Sequence, residues 1–241
     1  FTMDKDRFRQ AANDIMNHQK AAMGIGTLSE RSVHAVLKRY YGSEAASELP
    51  LAGFVADILT DRGAIEIQTH NLRLIRRKLE VFLPLMPVTL VHPIAIRHRT
   101  IRVDIETGEI EKPRTLPRKG SVYEAFFELA SIRDLLVHPN LRIVLPLIIV
   151  DDIRLKRPLM KGSKLVDRMP SALIDEIEID SPKDFLRFVP ENLPDPFTSE
   201  DFAIAVKIHR SLAQSFLLTA DHLGLLSRIG KTRNAWLYQI K

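Results

Sequence analysis

The chain contains no cysteine, which excludes disulfides and thiolate zinc sites. Long apolar runs are missing too. The longest, Leu141 to Val150, spans ten residues and contains Pro146, where a membrane-crossing helix needs about 20. A longer stretch, Val81 to Ile96, is broken by Pro84, Pro87, His92 and Pro93. Aromatic residues make up only 7% of the chain, and Trp236 is its single tryptophan. No charge sign dominates strongly: 35 Lys and Arg stand against 30 Asp and Glu, a net +5. That mild excess is compatible with a polyanionic partner without demanding one. No internal repeat or low-complexity tract is present, and no basic-then-apolar leader precedes the first polar segment. A cytoplasmic location with no membrane partner is therefore expected.

What is present suffices for a core. Hydrophobic residues make up 45% and charged residues 27% of 241 positions, enough for one large domain or a medium one with a small companion. Phe8, Ala11, Ala12, Ile15 and Met16 recur at helical spacing within residues 4–22. A second helix is predicted from Thr27-Leu28-Ser29-Glu30, burying Val33, Val36 and Leu37. The pattern then changes. Gly53 to Leu59 and Ala64 to Thr69 read as strands joined by a turn at Asp61-Arg62-Gly63. Leu72, Ile75, Leu79 and Phe82 line a helix, and Val88 to Ile96 reads as another strand. Residues 97–119 form a predicted hairpin turning at Thr107-Gly108, rich in Arg97, Arg99, Arg102, Lys112, Arg114, Arg118 and Lys119. Ser121 to His138 reads as helix and Leu141 to Val150 as a buried strand. Residues 156–190 carry no legible pattern, and Pro190, Pro194 and Pro196 mark a linker.

Asp57 and Glu66 do not fit an apolar core. If the turn is even, with Leu59 opposite Ala64, Asp57 lies directly across from Glu66, with Cβ atoms roughly 4.5–5.5 Å apart. An odd loop places Asp57 opposite Ile67 instead. Two carboxylates so close repel, and desolvation worsens this. A divalent cation relieves it, because Mg²⁺ takes one or two carboxylates plus waters and a phosphate oxygen.

Glu30, Asp57 and Glu66-Ile67-Gln68, on helix, strand and strand before a further helix and strand, resemble the PD-(D/E)xK nuclease superfamily over residues 25–96. The resemblance implies an α/β fold with a restriction-endonuclease-like mixed sheet flanked by helices. It further implies Mg²⁺ (or Mn²⁺) held by Glu30, Asp57 and Glu66. Gln68 takes the position of that family's catalytic lysine, and it has no titrating amine. Lys78, or less favourably Arg77, on the following helix could supply the charge. Thr27-x-x-Glu30 also reads as a capping box, leaving Glu30 either a cap or a ligand.

Residues 197–241 give a short helix capped by Thr198 or Ser199, a turn at Lys207-Ile208-His209, and a helix from Ser211 to Leu223. Phe202 and Ala205 face inward on the first; Leu212, Phe216, Leu217 and Ala220 do so on the second. A hairpin around Gly230 to Asn234 follows. This order resembles winged-helix DNA-binding domains. In such a domain His209, Arg210, Ser211 and Gln214 face DNA from the helix, and Arg228, Lys231, Arg233 and Asn234 from the wing. Trp236 and Tyr238 are expected in the core. Together these readings anticipate a nuclease domain over 1–190 and a winged helix over 194–241. They point to a metal-dependent DNA endonuclease, with homodimerisation the default for a two-strand cutter. The alternative is a DNA-binding regulator or assembly factor with an inactive core.

Overall fold

A computed structural model describes residues 3–22, 32–42, 47–104, 106–156 and 162–241. Two helices open it, α1 (Lys5–Ala22) and α2 (Ser32–Tyr41). Phe8, Ala11 and Ala12 are buried at the i, i+3, i+4 spacing that puts them on one face. Phe8 meets Tyr40 of α2 edge to face at 5.4 Å. The expected start of α2 at Thr27, with Glu30, lies outside the described residues.

Three strands follow: β1 (Ser47–Leu51), β2 (Phe54–Thr60) and β3 (Gly63–Ile67). Asp61 and Arg62 make the β2–β3 turn, so Thr60 pairs with Gly63, Leu59 with Ala64 and Ile58 with Ile65. The even register is the one found. Gly63 sits at φ 123°, where a Cβ would lie 2.1 Å from the carbonyl oxygen of Pro87, so only glycine lets this hairpin tuck against the next strand.

A 3₁₀ turn (Leu72–Ile75) leads into α3 (Arg76–Phe82), whose Leu79 and Phe82 are fully buried. The strand expected over Val88 to Ile96 is two strands, β4 (Val88–Val91) and β5 (Ile94–Asp104). His92-Pro93 separates them, proline being unable to donate to a ladder. β5 returns antiparallel through β6 (Arg114–Lys119), confirming the basic hairpin. The helix expected over Ser121 to His138 is instead α4 (Ala125–Leu129) between two 3₁₀ segments, with a kink at Ile132.

β7 (Leu141–Lys156) is longer than its apolar run and pairs with β4 and then β5 on one side. On its other side lies β8 (Ser163–Ile179), in the stretch that showed no sequence pattern. The sheet has eight strands in the order β1-β2-β3-β4-β7-β5-β6, with β8 on β7. β3, β4 and β7 run parallel and the hairpin pairs antiparallel, so the sheet is mixed.

Helices cover both faces. One apolar cluster joins α1 and α2 to Ile58, Ile65, Ile67, Val91 and Val144. The other joins α3 and α4 to Ala64, Val88, Leu90 and Ile143. Burial from both sides explains the near-continuous apolar run of β7. Among the described residues no helix is long and apolar enough to cross a membrane.

The C-terminal segment contributes α5 (Ser199–Val206), α6 (Arg210–His222) and the hairpin β9 (Leu226–Thr232) with β10 (Ala235–Ile240). Thr198 caps α5 in a capping box with Asp201. Ala203, rather than Ala205, joins Phe202 in the core. Phe202 and Phe216 stack at 5.0 Å, and Phe216 meets Phe126 of α4 at 4.8 Å. The aromatic core is therefore continuous from the sheet into this segment.

Candidate active site

The β2–β3 ladder ends at Ile58↔Ile65, and the next two residues are Asp57 and Glu66. Here side chains replace the backbone ladder. The Ile67 N–H donates to Asp57 Oδ2 at 2.8 Å, and the Asp57 N–H approaches Glu66 Oε1 at 3.4 Å. Both carboxylates thus sit at the point where the two strands part. Glu66 is 1% exposed, whereas the Asp57 side chain keeps 22% of its surface open.

The Lys78 ammonium and the His34 imidazole reach this pair from opposite layers. Lys78 of α3 places its ammonium on Glu66 Oε2, with the Phe82 ring 5.6 Å away. His34 of α2 brings Nε2 to 3.4 Å from Asp57 Oδ2. The electrostatics differ accordingly. Burial pushes the Glu66 carboxyl up to about 7, opposed by the Lys78 hydrogen bond and reinforced by the charge of Asp57. Burial also raises the Asp57 carboxyl, but the hydrogen bonds from His34 and the Ile67 amide outweigh it, so the net shift is downward. At neutral pH Asp57 is firmly ionised and Glu66 is poised to change state.

Gln68 follows β3 and turns away from this pair. Its side-chain amide donates to the His70 carbonyl at 2.8 Å, and its N–H extends the β3–β4 ladder to the Val91 carbonyl. Its own carbonyl accepts from His92 Nδ1 at 2.7 Å. Glu30 lies outside the described residues. Among the described residues, no group of three or more His, Asp or Glu could hold a metal ion. Asp57 Oδ1 is engaged by neither Ile67 nor His34, whereas both Glu66 oxygens have partners, Lys78 on Oε2 and the Asp57 N–H on Oε1. His34 is a site residue that the sequence reading missed. Its only sequence signal is its place one helical turn after Glu30.

The residues expected to face DNA from the C-terminal segment divide into two groups. His209 caps α6, its Nδ1 accepting from the Ser211 N–H. Arg210 leans back on α5, 3.4 Å from Ser199 Oγ and 3.7 Å from Glu200. Gln214 is exposed. On the hairpin, Arg228 Nε lies 3.0 Å from Asp221 Oδ2, and its guanidinium covers the Trp236 ring at 5.2 Å. Lys231, Arg233 and Asn234 are exposed at the tip. Tyr238 is buried as expected; Trp236 is not, being 40% exposed with Lys231 Nζ 4.1 Å from its ring centre.

The family model described as "Domain of unknown function (DUF8091)" matches residues 31–180. The chain belongs to the DUF8091 family. Its matched region holds His34, Asp57, Glu66, Gln68 and Lys78 and ends before α5. A Treponema pallidum (strain Nichols) protein described as "Uncharacterized protein" is 29% identical over 219 residues, spanning 88% of this chain and 86% of that one. That alignment omits fewer residues than follow Asp180, so part of the C-terminal segment is shared. No solved structure matches the chain.

Proposed function

We propose that this DUF8091 protein is a metal-dependent DNA endonuclease with a restriction-endonuclease-like core. The observation that carries the proposal is the Asp57–Glu66 pair at the parting of β2 and β3, with Lys78 on Glu66. Asp57 and Glu66 would hold a Mg²⁺ or Mn²⁺ ion, which supplies Lewis-acid polarisation of a phosphodiester and a water of lowered pKa. Lys78 stabilises the ionised form of Glu66 and places a cation where a phosphoryl oxygen gathers charge. An ammonium there takes over the charge that Gln68 lacks. His34 holds the Asp57 carboxylate from the opposite layer.

The C-terminal segment supports a winged-helix reading as the DNA-positioning part. Phe197, just before α5, makes an isolated antiparallel bridge to Tyr238 on the returning wing strand β10. The 3₁₀ segment Pro182–Phe188 stands where a first helix would, packing Phe185 and Phe188 into the aromatic core. Gln214, Lys231, Arg233 and Asn234 are the members of the expected set with exposed side chains free to reach DNA, while Arg228 is held by Asp221. This reading places the protein in the cytoplasm, with a homodimer as its two-strand-cutting form.

Supercoiled plasmid tests the proposal. Wild-type protein with Mg²⁺ or Mn²⁺ is expected to nick it, Glu66→Gln and Asp57→Asn to lose nicking by at least a hundredfold (the order a displaced catalytic group costs), and both variants to keep DNA binding. One observation favours a second reading. Lys78 and His34 already engage both carboxylates, as in a DNA-binding regulator with a retired core. Salt-sensitive, metal-independent binding with no nicking under any metal would select that reading.

A further inference from the structure

The positive charge of this chain is concentrated in one part of its sheet. Residues 94–119 hold seven Lys and Arg against four Asp and Glu, and residues 147–156 with 162–172 hold four against three. Together they carry about +4 of the net +5 of the whole chain. These residues form the β6-β5-β7-β8 arm, which continues beyond the end of β4.

Inside the arm the acids are matched. Asp151 receives both nitrogens of Arg99, at 2.6 and 2.7 Å. Asp152 lies 3.2 Å from Arg168 and 3.3 Å from His98. The outer cations are a different case. Arg97 and Lys119 are exposed and, among the described residues, make no ion pair. Arg97 and Lys119 stand directly opposite each other across β5–β6, an arrangement of like charges that weakens a hairpin. Charges that protect a sheet edge would explain cations on β6. They do not explain Arg97, whose strand has a neighbour on each side. A bridging anion does, because it turns the repulsion into attraction.

The anion can be narrowed further. Neither stretch contains Phe, Tyr or Trp, so the arm offers no ring on which unpaired bases could stack, as single-strand binders do. It offers spaced point charges, which suit a duplex backbone. Position agrees: Glu66 pairs with Leu90 on β4, and β4 and β5 follow one another along β7 in one direction. Leu90 pairs with Ile143 and Arg97 with Ile149, six residues along β7, so Arg97 lies about 20 Å along the sheet, at about 3.3 Å per residue. That is about six base-pair steps.

We propose that the face of the β5–β6 arm that carries Arg97 and Lys119 grips the phosphate backbone of duplex DNA flanking the Asp57–Glu66 site. This rests on reading the core as DNA-handling. The test is fluorescence anisotropy with a short duplex and its single strand, in chelator without metal, for wild type and Arg97→Ala/Lys119→Ala. Circular dichroism of the variant verifies its fold. The variant is expected to bind duplex roughly tenfold more weakly or worse, with the slope of log K against log salt smaller by about 2. Unchanged duplex affinity in a folded variant, or a wild type that prefers the single strand, overturns the arm and leaves the core reading intact. A wild type that binds neither overturns both. Arm-dependent duplex binding without metal-dependent nicking upholds the arm and removes only hydrolysis.

Discussion

Glu66 is the most deeply buried group of the site, and Lys78 is what makes its ionised form tolerable. Its carboxyl sits near 7, above the usual 4.5, so the stability tied to its protonated form is complete below pH 4.5 and lost as pH rises through 7. Lys78→Met should sharpen that loss. At pH 8 it leaves an unpaired buried carboxylate, costing about 3–5 kcal/mol; at pH 5.5 the protonated carboxyl needs no partner and the cost falls. Urea denaturation at the two pH values measures the difference. His92 runs the other way. Burial holds its imidazole below the ordinary 6.5, against the opposing bond to the Gln68 carbonyl. The neutral ring is matched to the fold above pH 6.5, and stability falls as the unfolded chain takes up a proton below it. His92→Gln should flatten that fall, which a pH series of thermal melts would reveal.

The elements differ in how plainly the sequence announced them. β2–β3 was legible because a two-residue turn between alternating strands sets the register at Leu59↔Ala64; the ladder stops short of Asp57 and Glu66, which meet through side-chain bonds to backbone instead. Gly63 enforces the same geometry: Gly63→Ala meets the Pro87 carbonyl, whereas a Cβ at Gly108 (φ 70°) meets nothing within 4 Å. Gly108→Ala should cost only backbone strain, of order 1–3 kcal/mol, and Gly63→Ala more, by comparison of melting temperatures. β8 was illegible for a physical reason. It lies at the sheet edge with register shifts along its pairing with β7, so strict alternation is lost. Trp236 misled because alternation along β10 says which face a residue takes, not where the core ends. The core ends at Tyr238, and Trp236 lies beyond it on the wing, paired with Lys231. His34 and Lys78 come from helices in opposite layers, and nothing local in the sequence brings them to one carboxylate pair; Lys78 could be named as a candidate, His34 could not.

At the scale of the molecule, one sheet organises a charge asymmetry and a shared core. The Asp57–Glu66 site lies near the β1 side and the cationic arm lies beyond β4, both on strands that helices brace from two faces. The C-terminal segment is joined to this body through Phe216, which touches Phe126, Phe188, Phe202 and Tyr123. Phe216→Ala should therefore destabilise the whole by about 3–5 kcal/mol. Calorimetry should record one transition in wild type, since the apolar residues of the segment belong to the same cluster as those of α3 and α4; two resolved transitions would contradict the continuity.

Titration calorimetry with Mn²⁺ tests most directly the proposal that Asp57 and Glu66 hold a divalent cation. One saturable site per chain is expected in wild type, absent in Asp57→Asn and in Glu66→Gln. Binding that survives both substitutions, or none in wild type with duplex DNA present, would contradict it.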